Sequence, residues 1–252
     1  MKDFSDMFIL AADYYHKNFS CCMTGNYDDE VRYFFQKNNY TDDEILRSGL
    51  CIKKQSVYGT FILNKISFGT IKTLKIGFAD NQEWGLYNCL KNKDFSDKEI
   101  LDSGLCYLTK ENLVKDILSH SITFPVFGPT GKILGLISKK IDKRFNQSPF
   151  LNIPNPSVDT SKENIFTFNY DGYKRGYVII CENPFDVVYN YNNYIFNSIG
   201  FFNQKIELND DVLSFIRSSG STVKLMLNSD REDVYRAETF KDVLKKQNIF
   251  VL

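Results

Sequence analysis

Apolar and polar positions follow two regimes along this chain. Beyond residue 175 the apolar residues gather into short continuous runs separated by helical patterns. Gly176 to Cys181 reads G-Y-V-I-I-C, the pattern of a strand buried on both faces. Pro184 to Tyr194 then predicts a helix and Ile195 to Gly200 a second strand. Asp210 to Ser218 reads as helical, and Thr222 to Leu227 (T-V-K-L-M-L) as a third buried strand. Arg231 to Gln247 has the spacing of a long amphipathic helix, and Ile249 to Leu252 of a last strand. Strands alternating with helices predict a parallel sheet with helices on its faces. Right-handed crossovers bring every strand's carboxyl end to one edge, where such sheets bind ligands. Glu182, Gly200, Asn228 and Asp230 fall at that edge.

The first half is less regular. Thr41 to Cys51 (T-D-D-E-I-L-R-S-G-L-C) is echoed by Ser96 to Cys106 (S-D-K-E-I-L-D-S-G-L-C). Each copy opens on Ser or Thr with Glu three residues on, a capping box, and closes on Gly, a helix stop. Both predict short helices, and two copies make no solenoid. Residues 146–162 hold Pro149, Pro154 and Pro156 among Asn and Ser and read as a linker or long surface loop. They separate an N-terminal mixed α/β part, residues 1–145, from the alternating part, residues 163–252.

Composition narrows the function. The chain has 252 residues, with 31 basic against 31 acidic side chains, so bulk charge does not drive binding to nucleic acid, although a local basic groove is compatible with it. Aromatic residues make up 15%, too many for a disordered chain. No apolar run approaches the roughly 18–20 residues of a membrane span. The six cysteines form no C-x-x-C pair and there are only two histidines, which excludes a zinc finger on spacing. Free thiols in a cytoplasmic protein are expected. The wealth of Asn, Lys, Ile, Phe and Tyr fits an AT-rich source such as a phage or a low-GC bacterium.

The candidate chemistry is a set of carboxylates. Glu182 directly follows the first strand of the alternating part, Asp186 lies one helical turn on, and Asn228-Ser229-Asp230 follows the third strand. Acids from two loops at one sheet edge can converge on a hard cation such as Mg²⁺, which prefers oxygen ligands. They can equally cap helix N-termini, where acids are favoured. A second set is basic: Lys132, Lys139, Lys140, Lys143 and Arg144, close in sequence, form either a phosphate-facing groove or a solvated hairpin.

A resemblance bears on both sets. Glu182-Asn183-Pro184-Phe185-Asp186-Val187 resembles the E-G-x-x-D-V motif of the Toprim fold, and Asn228-Ser229-Asp230 its D-x-D strand end, with Ser198-Ile199-Gly200 at the intervening small-residue turn. Ile122-Thr123-Phe124-Pro125-Val126 followed by Gly131 to Leu136 is similar to the R-I-x-F-P-I…G-x-V-I-G-F pattern of bacterial DnaG-type primases. Ile76-Gly77-Phe78-Ala79 with Trp84, then Ser103-Gly104-Leu105, resembles their G-[FY]-A…W…A-G-L run. Phe150-Leu151-Asn152 with Pro154 looks like Y-[IL]-N-S-P, and Ala11 to Phe19 like the opening helix of the primase core. In order along the chain, these segments resemble a primase RNA-polymerase core.

The resemblance implies an α/β protein in which an N-terminal mixed α/β subdomain is followed by a Toprim-like subdomain with a parallel sheet. It implies RNA primer synthesis on single-stranded DNA from nucleoside triphosphates by two-metal nucleotidyl transfer. Glu182, Asp186 and Asp230, with Asn228 beside them, would hold Mg²⁺ or Mn²⁺, and Lys139 stands where the family has a basic residue. The implied partners are a replicative helicase and, since no zinc-binding domain precedes residue 1, a separate zinc-binding subunit. The chain departs from the family at several positions. Asn228 replaces the first Asp of D-x-D, Ser121 an Arg, Pro149 a Lys, Asn183 a Gly, and Glu232-Asp233 an Ala-Gly; the sequence also stops before the family's acidic run. These losses set a second reading beside the enzyme: a primase-like scaffold that binds DNA or a replication partner. A Toprim nuclease is a third, disfavoured by the N-terminal motifs.

Overall fold

A computed structural model describes residues 3–23, 66–80, 82–119, 121–128, 131–140, 150–158, 177–181, 184–200 and 222–226, with 238, 241–242, 244–246, 249 and 251. The chain divides into two compact units, Met1–Pro125 with Ile133–Val158, and Val126–Lys132 with Asp159–Leu252.

The first unit starts with α1 (Ser5–Met23). Phe4, Met7, Phe8, Ala11, Ala12, Tyr15 and Phe19 are buried, the spacing of one helical face. That face packs on β1 (Gly77–Ala79) and β5 (Ile133–Lys140). These strands, with β4 (Ser121–Phe127) and β6 (Phe150–Pro154), form a sheet in the order β1-β4-β5-β6. Four of the segments that resemble primase motifs are therefore the four strands of one sheet. β1 pairs antiparallel with β4, Gly77 opposite Thr123, and β5 antiparallel with β6. Gly77 is required by close approach: a Cβ there would lie 2.5 Å from Thr123 Oγ1 and 2.7 Å from Tyr15 Cβ. His16 Nδ1 and the Ile76 carbonyl, 2.9 Å apart, join α1 to the approach of β1.

β6 corrects the reading of residues 146–162 as linker or loop. Its prolines suggested irregular chain, but β6 is the outer strand of the sheet, and Pro154 is its last residue. A missing N–H is tolerated at an edge. Just beyond it, the buried Asn155 ties three segments together. Its Nδ2 donates to the Ile133 carbonyl at 3.0 Å and to Ser5 Oγ at 3.3 Å, and its Oδ1 accepts from Ser157 N.

Between β1 and β4 lie α3 (Gly85–Lys91), α4 (Asp97–Asp102) and the antiparallel hairpin of β2 (Cys106–Leu108) and β3 (Val114–Asp116); α2 (Phe68–Thr73) precedes β1. The expected capping box is present in α4. Ser96 Oγ accepts from Glu99 N, Glu99 Oε2 accepts from Ser96 N, and Gly104 follows with φ +74°. The matching helix expected within residues 41–51 lies outside the described residues. α3 begins at Trp84, which offers no capping side chain. Asp116 caps it from β3 instead, accepting from Leu86 N at 2.7 Å and Tyr87 N at 2.8 Å.

The second unit contains the expected parallel sheet. β7 (Tyr177–Cys181) lies between β8 (Ser198–Gly200) and β9 (Thr222–Met226), parallel to both. Val178, Ile179, Ile180 and Cys181 are all buried, as the continuous apolar run predicts. α5 (Pro184–Asn192) joins β7 to β8. Val251 bridges Val223 in parallel, the first sign of the last expected strand. Helical residues 238, 241–242 and 244–246 fall within the predicted long helix. The helix expected over 210–218 lies outside the described residues. Among the described residues no helix is long and apolar enough to cross a membrane, and Cys89, Cys106 and Cys181 are free thiols.

Candidate functional site

The strand order β8-β7-β9 places a reversal of direction at β7: α5 leads to one neighbour, and the later connection returns to the other side. Sheets of this kind leave a crevice at the carboxyl ends of the strands flanking such a reversal. Register sharpens this. Cys181 pairs with Met226 in the parallel register of β7 and β9. Paired strands lie about 4.8 Å apart. Glu182 is the next residue after Cys181, and Asn228 and Asp230 come two and four after Met226. Glu182, Asn228 and Asp230 themselves lie outside the described residues.

Asp186 is described. It sits in the first turn of α5, half-buried, and its charge is felt by Cys181 at the end of β7. The Cys181 thiol is pushed up to about 12, first by burial and then by the Asp186 carboxylate, while hydrogen bonds from Asn190 and Ser198 act the other way. A fully buried, un-ionised thiol is no nucleophile and no ready metal ligand. The donors available to a cation here are oxygens, which suits Mg²⁺ or Mn²⁺. Among the described residues no three His, Cys, Asp or Glu side chains group together.

Of the basic set, Lys132 precedes β5 and Lys140 ends it. The strand's end divides Lys139 from Lys140: Lys140, its last residue, is exposed, while Lys139 is buried with its Nζ 4.8 Å from the centre of the Phe150 ring, its partner on β6. Lys143 and Arg144 lie outside the described residues. The departure at Ser121 is also buried. Its Oγ donates to the Ser119 carbonyl at 2.8 Å, well within the sheet, where the resemblance puts an arginine.

Two features escaped the sequence reading. Asn190, four residues after Asp186, donates from Nδ2 to Cys181 Sγ at 3.3 Å. A polar residue on the inward face of a helix, next to Val187 and Val188, was the available signal. Asp116 is the other: burial pushes its carboxyl up to about 6, although two backbone N–H groups favour the charged form.

Comparison with known proteins bears on the family and the fold. Residues 63–171 match the family model of the DNA primase catalytic core, N-terminal domain. The likeness is to DnaG-type primases. Over 110 residues, 44% of the chain, it is 24% identical to the DNA primase of Clostridium acetobutylicum. That match spans only 18% of the relative's length. The fold extends further. The RNA polymerase domain of the Mycobacterium tuberculosis primase DnaG, solved with a double-stranded DNA oligomer carrying a 6-nucleotide overhang, superposes with a TM-score of 0.65 at 14% identity. This covers 94% of the chain and 67% of that domain. The E. coli primase catalytic core gives the same four values. The mixed α/β architecture with its antiparallel sheet and parallel strands is thus the fold of a primase catalytic core.

Proposed function

We propose that this chain is a DnaG-type primase catalytic core that makes RNA primers on single-stranded DNA. In this reading residues 1–145 form the primase-core subdomain and residues 163–252 a Toprim-like subdomain, joined through 146–162, which also gives β6 to the sheet of the first. The observation that carries it is the parallel register of β7 and β9, Cys181 opposite Met226, with Asp186 in the first turn of the helix after β7. Glu182, Asp186 and Asp230, with the neutral oxygen of Asn228, would hold Mg²⁺ or Mn²⁺. When bound, such ions activate a 3′-hydroxyl and neutralise a nucleoside triphosphate. The chain's own task would be placement: the carboxylates of Glu182, Asp186 and Asp230 would hold the cations that a triphosphate binds. Lys140, Lys143 and Arg144 would face the nucleic acid backbone, with Lys139 supporting them from beneath Phe150 and Lys132 contributing separately. A template such as the overhang DNA held by the M. tuberculosis domain is the expected partner. A replicative helicase or a zinc-binding protein is a further expected replication partner, in a cytoplasmic setting.

One observation favours a second reading, a scaffold without polymerase activity. Ser121 is buried and bonded to its own strand's approach, so it supplies no charge to a nucleotide. Incubation with labelled nucleoside triphosphates, single-stranded DNA and Mg²⁺ or Mn²⁺ separates the two. The enzyme reading expects template-dependent short RNA from the native chain and none from Asp186→Asn. Absence of product with either metal, with DNA binding intact, would establish the scaffold.

A further inference from the structure

We infer that Asn190 is a positioning residue that holds Asp186 to the carboxyl end of β7 by bonding Cys181. The inference rests on the metal-site reading and adds to it a component from this chain's own interior. Asp186 and Asn190 are four residues apart on α5, so they share one helical face. Asn190 is 3% exposed and Cys181 0%, so their contact is sealed from water. The Nδ2 of Asn190 donates to Cys181 Sγ at 3.3 Å, and Cys181 is the last residue before Glu182.

The backbone of Asn190 does a second job. Its carbonyl accepts from Asn193 N at 3.0 Å and from Ile195 N at 2.9 Å, which closes α5. Tyr194 adopts φ +63° to complete that ending, a conformation that a residue with a side chain adopts only under constraint. One residue therefore ends the helix and pins it sideways to the strand. Apolar packing by Val187 and Val188 holds a helix on a sheet but tolerates sliding and rotation. Each residue of rotation turns a helix by about 100°, which would carry Asp186 away from the strand end. A directional N–H···S bond on the Asp186 face resists that motion. β8, which carries Ser198, pairs in parallel with β7 along Ile179 to Cys181, so the strand bearing the anchor is itself held.

Direct Mn²⁺ binding to the full chain, read from the spin-resonance signal of free Mn²⁺, tests this without relying on activity. Groups that orient metal ligands typically change affinity by about 10–100-fold when removed. Asn190→Leu, of similar size, and Cys181→Ala should each weaken Mn²⁺ binding about tenfold while circular dichroism shows a folded chain. Cys181→Ser, which keeps an acceptor, should bind like the native chain. The Asn190→Leu, Cys181→Ala double variant should be no weaker than the worse single, because both remove the same bond. The two singles approach the bond from opposite sides, so loss of fold in one leaves the other to decide. Asp186→Asn separates the two levels. If it weakens Mn²⁺ binding while the folded Asn190 and Cys181 variants bind normally, the positioning role is overturned. If it binds Mn²⁺ as tightly as the native chain, the metal-site reading falls and the positioning role with it.

Discussion

Asp116 carries a pH dependence that can be worked from its surroundings. It is 8% exposed, and burial raises its carboxyl from the ordinary 3.8 to about 6. Leu86 N and Tyr87 N favour the charged form, but desolvation outweighs them. A carboxyl with a raised value in the folded state binds its proton more tightly there than when unfolded. Its contribution is therefore fully present below about pH 4 and is lost as pH rises through about 6. A shift of about two pH units corresponds to about 3 kcal/mol at 1.36 kcal/mol per unit. Asp116→Asn removes the titration. It also turns an amide N–H₂ towards one of two backbone donors, an offset of about 1–3 kcal/mol that does not vary with pH. The slope is thus the signal. Urea unfolding of both proteins between pH 4.5 and 7.5 should show their stability difference moving by about 2 kcal/mol in favour of Asp116→Asn as pH rises. Parallel curves, within about 0.5 kcal/mol across the range, would refute the assignment.

Three further outcomes follow from the contacts and the proposed site. Gly77→Ala should destabilise the first unit by about 1–3 kcal/mol, because its Cβ would press on Thr123 and on Tyr15 of α1; thermal melting reads this directly. Ser96→Ala should cost about 1 kcal/mol by removing the capping box of α4, with the effect confined to stability and Mn²⁺ binding unchanged. Asn228→Asp restores a charge at the proposed site, so it should tighten Mg²⁺ binding and raise primer yield in Mg²⁺ more than in Mn²⁺. A titration showing unchanged Mg²⁺ affinity would remove Asn228 from the ligand set.

How much of this was legible in the sequence depends on the range of the interaction involved. β7 announced itself because a strand buried on both faces needs an unbroken apolar run, and α4 because its capping box is closed within four residues. Asp186 could be placed in the first turn after β7 because the strand-to-helix step is closed within a few residues. β6 could not be read, since whether Pro154 is tolerated depends on lying at the edge of a sheet assembled from distant segments. The cap supplied by Asp116 to α3 spans 30 residues, and no local motif encodes it. The burial of Lys139 against Phe150 was hidden as well, because it needs β5 and β6 to be paired. The Asn190–Cys181 bond was hidden for a similar reason, because a helix face and a strand end had to be docked before it existed.

The central claim is that Glu182, Asp186 and Asp230 converge on a divalent cation at the carboxyl ends of β7 and β9. Crystals of the full chain soaked in Mn²⁺ and measured at the manganese absorption edge test it most directly. The account predicts an anomalous peak within direct bonding distance of an Asp186 oxygen, with Glu182 and Asp230 oxygens in the same shell, and its loss in Asp186→Asn. Manganese bound elsewhere, or Glu182 and Asp230 on opposite faces of the sheet, would contradict it.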